Sequence, residues 1–369
     1  MSSHDVLVRG AGAVGLAGAL ALARQGLRVA LLGEPAHGNA AADIRTYALN
    51  PASVALLQSL KVWDTLPADA RTPVYDMRVE GDAPGAALDF SAWTQGTDAL
   101  AWIVDAAELE AALRTASRYA AHLDWVDSEV PAALLVLAEG KASATRERLG
   151  VKMPLHRYGQ RAVSARLQAA QGHAGLARQW FRSPDVLALL PFDRPRPGHA
   201  YGLVWSVPDA QADVLMAMPD AEFETALMDA TGAAAGPLKL VGARAQWPLS
   251  LARAEAVCGT GWVLVGDAAH VVHPLAGQGL NLGLADIVAL AEVIKQREAW
   301  RPLGDEKLLR RYARAREGPT RAMGQMTDAL LHVFASEQPL VRELRNRGLT
   351  LVNQLPAIKR FLTSRALEG

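Results

Sequence analysis

The sequence predicts an α/β protein in which a Rossmann-like domain is interrupted by an antiparallel β-sheet unit and followed by a helical tail. Three observations carry this prediction. The opening DVLVRGAGAVGLAGALALARQGLRVALLGE reads as strand, glycine turn, helix and strand in about thirty residues. Two middle stretches hold short alternating apolar blocks separated by proline and glycine, the pattern of antiparallel strands. The apolar strand WVLVGD then returns to the first pattern, and the chain beyond Gly279 is helical.

In the first unit, Val6 to Val8 predicts a strand, about Val14 to Gln25 a helix, and Arg28 to Leu32 a second strand. Gly26 and Gly33 stand where that helix and strand should stop. Asp43 to Trp63 reads as a loop followed by a helix around SVALLQSL. MRVEG, ALDF and LAWIV predict short antiparallel strands, AAELEAALRTASRYA a helix, and WVDSEV and ALLVLAEG strands of the resumed first domain. Next come RAVSARLQ, VLALLPF and YGLVWSV as strands, with one helix at DAEFETALMDATG. Prolines 302, 319, 339 and 356 are expected to divide the C-terminal helices. The first domain is thus placed at 1–70, 101–155 and 254–310, the sheet unit at 71–100 and 156–253, and the helical region at 311–369.

A chain of 369 residues, half of them hydrophobic, can bury a full core. With 38 basic and 38 acidic residues it has no global field to attract nucleic acid, anionic lipid or an acidic substrate, so any partner must be found by a local site. The single cysteine, Cys258, cannot form an internal disulfide, and MSSHDVLVRG lacks the pattern of a secretory leader, so a cytoplasmic location is expected. No apolar run of about eighteen residues suggests a spanning helix. Nine tryptophans read as core fillers.

In GAGAVG, Gly10 permits a tight turn, Gly12 lets backbone approach a pyrophosphate, and Gly15 lets the helix pack closely on the sheet. The phosphate would lie on the free amides of the helix start, at Ala13 and Val14. Glu34, nineteen residues after Gly15, stands where a carboxylate accepts hydrogen bonds from adenosine ribose hydroxyls. This unit predicts dinucleotide binding without separating FAD from NAD. GWVLVGDAAHVVHPLAGQGLNLGLADIVAL makes the separation: a buried strand delivers Gly266 and Asp267, and Asp267 can accept from a ribityl hydroxyl, which FAD alone carries there. Ala276 to Asn281, with Gly277, Gln278, Gly279 and Leu280 between them, then opens a helix whose positive end suits the anionic edge of a reduced flavin. His270 and His273, three apart with no nearby third ligand, are poor evidence for a metal, and none is expected.

On these residues the chain resembles the class A flavoprotein monooxygenases of the para-hydroxybenzoate hydroxylase fold, and among them the ubiquinone-biosynthesis hydroxylases. GDAAHVVHPLAGQGLNLGLAD and DIRTYALNPASVALLQSLKVW are similar to that subfamily's segments, as are LALLPF, LVWSVP and LRNRGLTLVNQLPAIKRFL, so the resemblance spans most of the chain. It implies a Rossmann-like FAD-binding domain of the GR2 type, with Arg45 beside the flavin and Pro274 lining its reactive face together with Gly277, Gln278 and Gly279. Two departures stand out. Glu139 replaces the usual Asp in AEGKASATR, a segment tied to flavin and nicotinamide handling, although Gly140, Ser143 and Arg146 are in place. Ala106 stands where Gln or Arg often precedes the helix.

The resemblance implies hydroxylation of a phenolic ring with NADPH or NADH and molecular oxygen, through a flavin C4a-hydroperoxide. The cofactor carries the chemistry, so no dedicated acid or base is needed, and the sheet unit would keep water out. It also implies a polyprenylated phenol as substrate, met at the cytoplasmic membrane face or on a lipid-carrier protein. The apolar and basic residues from Arg345 to Arg365 either pack on the flavin domain with their charges solvated or form a candidate docking tail. Four alternatives remain: hydroxylation of another aromatic, a flavin or nicotinamide dehydrogenase, which would share GAGAVG and Glu34 but not need the Asp267 to Asn281 cluster, a flavin-dependent isoprenoid reductase, which would consume no oxygen, and a non-catalytic FAD-binding scaffold.

Overall fold

A computed structural model describes residues 4–33, 43–81, 86–272 and 278–335. β1 (Val6–Arg9) turns into α1 (Ala13–Ala23), and β2 (Val29–Leu32) returns parallel to β1, Val6 opposite Val29. The predicted βαβ unit is present. All of α1 except Val14 is buried, so its small Ala and Gly side chains serve close packing more than propensity.

A strand, β3 (Thr46–Leu49), occupies part of the region expected to be loop, ahead of α2 (Pro51–Ser59). Four residues carry too little periodicity to declare themselves. Their state is set by a distant partner. β4 (Arg71–Val74), β5 (Asp76–Glu80), β6 (Ala87–Ser91), α3 (Ala92–Gln95) and β7 (Ala101–Asp105) follow. β3 and β4 flank β7 in a separate three-stranded sheet, with Thr46 opposite Asp105.

α4 (Ala106–Tyr119) is capped by Asp105, whose carboxylate accepts from the amides of Ala107 at 3.0 Å and Glu108 at 3.3 Å. β8 (Leu123–Val126) and β9 (Leu134–Leu137) resume the first sheet, and α5 (Ala144–Arg148) follows. The next block comprises β10 (Leu155–Ala169), β11 (Leu176–Arg182), β12 (Asp185–Phe192), β13 (Ala200–Pro208), α6 (Asp209–Ala217), α7 (Asp220–Thr231) and β14 (Leu238–Arg253). Two helices therefore stand where one was expected. α6 was missed because its nine residues, flanked by Pro208 and Pro219, bury only Ala212 and Leu215. β15 (Cys258–Gly259), β16 (Trp262–Leu264), β17 (His270–Val271), α8 (Gln278–Lys295) and α9 (Glu306–Ala335) complete the described chain.

The first sheet has the order β15-β16-β9-β1-β2-β8. From β16 to β8 it is parallel, which brings the ends of β16, β9, β1 and β2 to one edge. The large sheet runs β17-β14-β10-β13-β12-β11-β5-β6. It is antiparallel except where β5 meets β11 in parallel, Asp76 opposite Leu176. The sheet unit is antiparallel as expected but for this one seam, which joins two chain segments that no hairpin connects. One face of the large sheet packs Val163, Leu167, Leu203 and Trp205 against Phe223 and Leu227 of α7.

Pro319 does not divide the C-terminal helices: it lies inside α9. An interior proline removes one ladder hydrogen bond. α9 keeps its course because Tyr312, Arg316 and Thr320, spaced four apart, form a buried face. Prolines 339 and 356 and the candidate docking tail lie outside the described residues.

Candidate functional site

The turn after β1 is defined by contact distances. Gly10 has φ +109°, and a β-carbon there would stand 2.2 Å from the carbonyl oxygen of Ala138. One on Gly15 would stand 1.8 Å from Gly10 O, so only glycine lets the helix close on the turn. Gly12 is different: a β-carbon on it meets nothing within 4 Å. It is the N-cap of α1, makes no side-chain cap hydrogen bond and has no acidic residue after it in the first turn. Among the described residues nothing caps the amides of Ala13 and Val14 at this positive helix end, a setting for an anion.

The start of α8 lies alongside. Gly266 has φ +59°, and an added β-carbon would touch Val14 at 3.3 Å. One on Gly283 of α8 would meet Val14 at 2.6 Å and Gly266 Cα at 3.2 Å. One on Gly18 would meet Ile287 Cδ1 at 2.8 Å. These close approaches hold the starts of α1 and α8 side by side. Asp267 lies between them, its Oδ1 3.9 Å from where a β-carbon of Gly279 would stand. Burial pushes the Asp267 carboxyl above its ordinary range, against the pull of Lys141 and His270. No hydrogen bond reaches this carboxylate among the described residues, which leaves it free to accept from a ligand hydroxyl.

Leu280 is buried in the core. The Asn281 side chain is occupied by the protein: Oδ1 accepts from Asn50 N at 3.0 Å and Ser53 Oγ at 2.8 Å, and Nδ2 donates to Ala48 O at 2.7 Å. It ties the first turn of α8 to the β3–α2 junction, so only its backbone is available to a cofactor. Arg45 is paired with Asp43, Nη2 to Oδ2 at 2.7 Å, and is partly exposed. Arg166 of the large sheet holds the same segment by donating to Asp43 O at 3.0 Å, and pairs with Asp105 at 2.9 Å.

Glu139 accepts from Arg9 Nε at 2.8 Å, Ser143 Oγ at 2.6 Å and Thr145 Oγ1 at 2.9 Å. Burial would raise its carboxyl, but the hydroxyls of Ser143 and Thr145 and the Arg9 charge outweigh burial and hold it low. The longer side chain is thus absorbed by a complete set of donors. Ser143 caps α5, accepting from Arg146 N at 3.1 Å. Buried Arg146 reaches the turn near Asp267 through Ala268 O at 3.3 Å. Ala106 is fully buried as the first residue of α4. Glu34, His273, Pro274 and Gly277 lie outside the described residues, as does the Gln278 side chain.

Among the described residues, the uncapped start of α1, the start of α8 beside it and the unpartnered Asp267 carboxylate suit the anionic groups and the hydroxylated chain of FAD. Comparison with known proteins decides the family. A family model described as FAD binding domain matches residues 3–116 and 92–327. The chain belongs to this FAD-binding family.

Relatives of this flavoprotein monooxygenase cover nearly all of it. It is 32% identical to the ubiquinone hydroxylase UbiL of Rhodospirillum rubrum, over 98% of this chain and 89% of that one. It is 30% identical to the 3-demethoxyubiquinol 3-hydroxylase of Escherichia coli, over 98% of each chain. The crystal structure of p-nitrophenol 4-monooxygenase PnpA from Pseudomonas putida shares the fold, with a TM-score of 0.75, 17% identity, and coverage of 99% of this chain and 98% of that one.

The flavoprotein also contains residues to which the sequence reading gave no role. Asp286 of α8, wholly buried, accepts from Gly266 N at 2.9 Å and from Arg316 Nε at 2.7 Å, and lies 2.7 Å from His270 Nε2. A charged residue in the otherwise apolar LGLADIVAL was its signal. Arg9, a charge closing an apolar strand at the glycine turn, was a second. Among the described residues no helix is long and apolar enough to cross a membrane.

Proposed function

We propose that this flavoenzyme hydroxylates the phenolic ring of a polyprenylated quinone precursor, using NADH or NADPH and molecular oxygen. The observation that carries the reading is the placement of the α1 and α8 helix starts side by side with the Asp267 carboxylate between them, in a chain similar over 98% of its length to ubiquinone hydroxylases. When bound, FAD supplies the redox chemistry with NAD(P)H and oxygen.

The chain's own residues bind and orient. Gly10, Gly12 and Gly15 shape the turn on which the amides of Ala13 and Val14 receive the pyrophosphate, and Glu34 takes the adenosine ribose. Asp267 accepts from a ribityl hydroxyl, supported by Gly266, while the backbone at Gly279, Leu280 and Asn281 faces the ring system with its positive helix end. Pro274, Gly277 and Gln278 line the reacting edge, and Arg45 flanks it. Segments 1–70, 101–155 and 254–310 form the cofactor domain, and 311–369 the helical region that follows it. Segments 71–100 and 156–253 lay the large sheet over the ring and exclude water, which suppresses wasteful release of peroxide.

A polyprenyl tail resists transfer through water, at about 0.8 kcal/mol for each methylene. The substrate therefore reaches the enzyme at a membrane face or on a lipid-carrier protein. The decisive experiment measures oxygen uptake and product mass with NAD(P)H, with and without a short-chain prenylated phenol. A product heavier by one oxygen, with NAD(P)H oxidation stimulated by the phenol, is expected. A reduced isoprenoid without oxygen uptake, or no turnover of a fully flavinylated protein with any phenol, would overturn the reading.

A further inference from the structure

We propose that Asp286, gripped from α9 by Arg316, is a positioning residue that sets the flavin-binding turn and locks it to the edge of the large sheet. This inference rests on the assignment of Asp267 to the ribityl chain and goes beyond it, because Asp286 is wholly buried behind that turn.

One carboxylate on α8 meets three other elements. Its Oδ2 accepts from the Gly266 amide at 2.9 Å and lies 2.7 Å from Nε2 of His270 on β17. Its Oδ1 accepts from Arg316 Nε at 2.7 Å, and Arg316 Nη2 donates to Leu282 O, in the first turns of α8, at 3.3 Å. From one helical turn earlier in α9, Tyr312 donates to Leu264 O at 2.8 Å, at the end of the strand that feeds Gly266. Burial would push the Asp286 carboxyl up, but His270 and Arg316 hold it low, so it stays an anion.

Buried ion pairs seldom stabilise a fold more than apolar residues of the same size would, whereas their directional bonds fix geometry. Here the geometry needs fixing. Gly266 is in the left-handed region at φ +59°, and the residue after it carries the carboxylate assigned to the cofactor. β17 pairs with β14, Arg253 opposite His270, so the carboxylate that holds the flavin turn also holds the sheet proposed to cover the ring. A shift in either is felt by the other.

The test titrates apoprotein with FAD and records the visible circular dichroism of the bound flavin in Asp286→Asn and Tyr312→Phe, with Asp267→Ala as reference and apoprotein melting as control. Asp286→Asn should raise the FAD Kd about tenfold or more and change the flavin dichroism. Tyr312→Phe should raise Kd about threefold and change the flavin dichroism, beyond the drop in apoprotein melting that the lost bond to Leu264 O causes. If Asp267→Ala weakens FAD while both other variants keep the parent's Kd and dichroism and lose only melting temperature, Asp286 is a structural brace and the proposal fails. If Asp267→Ala binds as the parent does, the ribityl assignment falls and takes this role with it. Should Asp286→Asn not fold, Tyr312→Phe decides alone, and parental Kd and dichroism in it overturn the proposal.

Discussion

A β-carbon on Gly15 would stand 1.8 Å from the carbonyl oxygen of Gly10, while one on Gly12, three residues earlier, would meet nothing within 4 Å. Two glycines of one motif therefore answer to different constraints. Gly15→Ala should destabilise the apoprotein by about 1–3 kcal/mol, because the helix must move off the turn. Gly12→Ala should leave apoprotein stability within about 0.5 kcal/mol of the parent and weaken FAD about tenfold or more, because its methyl occupies space that the pyrophosphate needs. Urea melts of both apoproteins beside FAD titrations check the contrast. Equal stability losses in the two would show that Gly12 is also held by packing.

Asp267→Ala removes a charged acceptor and should cost on the order of 1.5–3 kcal/mol of FAD affinity, or about ten- to a hundred-fold in Kd. Its pH dependence follows from the direction of its shift. Burial raises the carboxyl of the free protein, so the anion that accepts from a ribityl hydroxyl is lost earlier on acidification than at an exposed aspartate. The parent's FAD affinity should fall as pH drops through that raised pKa, and the Asp267→Ala variant should lack that limb. Flavin fluorescence titrations across the acid range would show a shared slope if the assignment were wrong.

Asp185 gives a stability prediction of opposite sign to the usual acid denaturation. Its Oδ1 is buried without a hydrogen-bond partner among the described residues, its Oδ2 accepts from Trp205 Nε1 at 3.3 Å, and burial pushes the carboxyl from 3.8 up to about 6. The native state therefore holds this proton in a window where the unfolded chain has released it, and the group's contribution to stability is lost as pH rises through about 6. With allowance for its partial exposure, Asp185→Asn should be more stable than the parent by about 1–2 kcal/mol at pH 8, the gap closing near pH 4. Paired denaturant melts at the two values check it, and a gap independent of pH would refute the titration.

The elements of the candidate site were legible because their motifs are local in the chain: strand, glycine turn and helix start lie within a few residues at β1–α1, and β16, Gly266 and the start of α8 follow one another within one motif. Features set by distant partners were not. β3 is a strand because β7 lies beside it, and β5 meets β11 in parallel because two separated segments share a sheet. Pro319 continues α9 because packing along Tyr312, Arg316 and Thr320 outweighs one lost bond. Asp286 stood inside a motif already recognised, yet its role depends on Arg316, thirty residues on, whose approach is fixed only by the packing of α8 on α9. Asn281 shows the converse, since its side chain serves the turn at Asn50 rather than an open crevice.

The parallel seam between β5 and β11 bears on how the chain can be made. β5 and β6 lie early in the polypeptide, but the strand beside them is not synthesised until the intervening α4, β8 and β9 have emerged. During synthesis the β5–β6 ribbon must wait with an unsatisfied edge and apolar Val79 and Leu88 uncovered. Closure of this long-range pairing is slow by topology. The nascent chain is therefore most open to aggregation, or to chaperone capture, in the interval between release of residue 91 and release of residue 182.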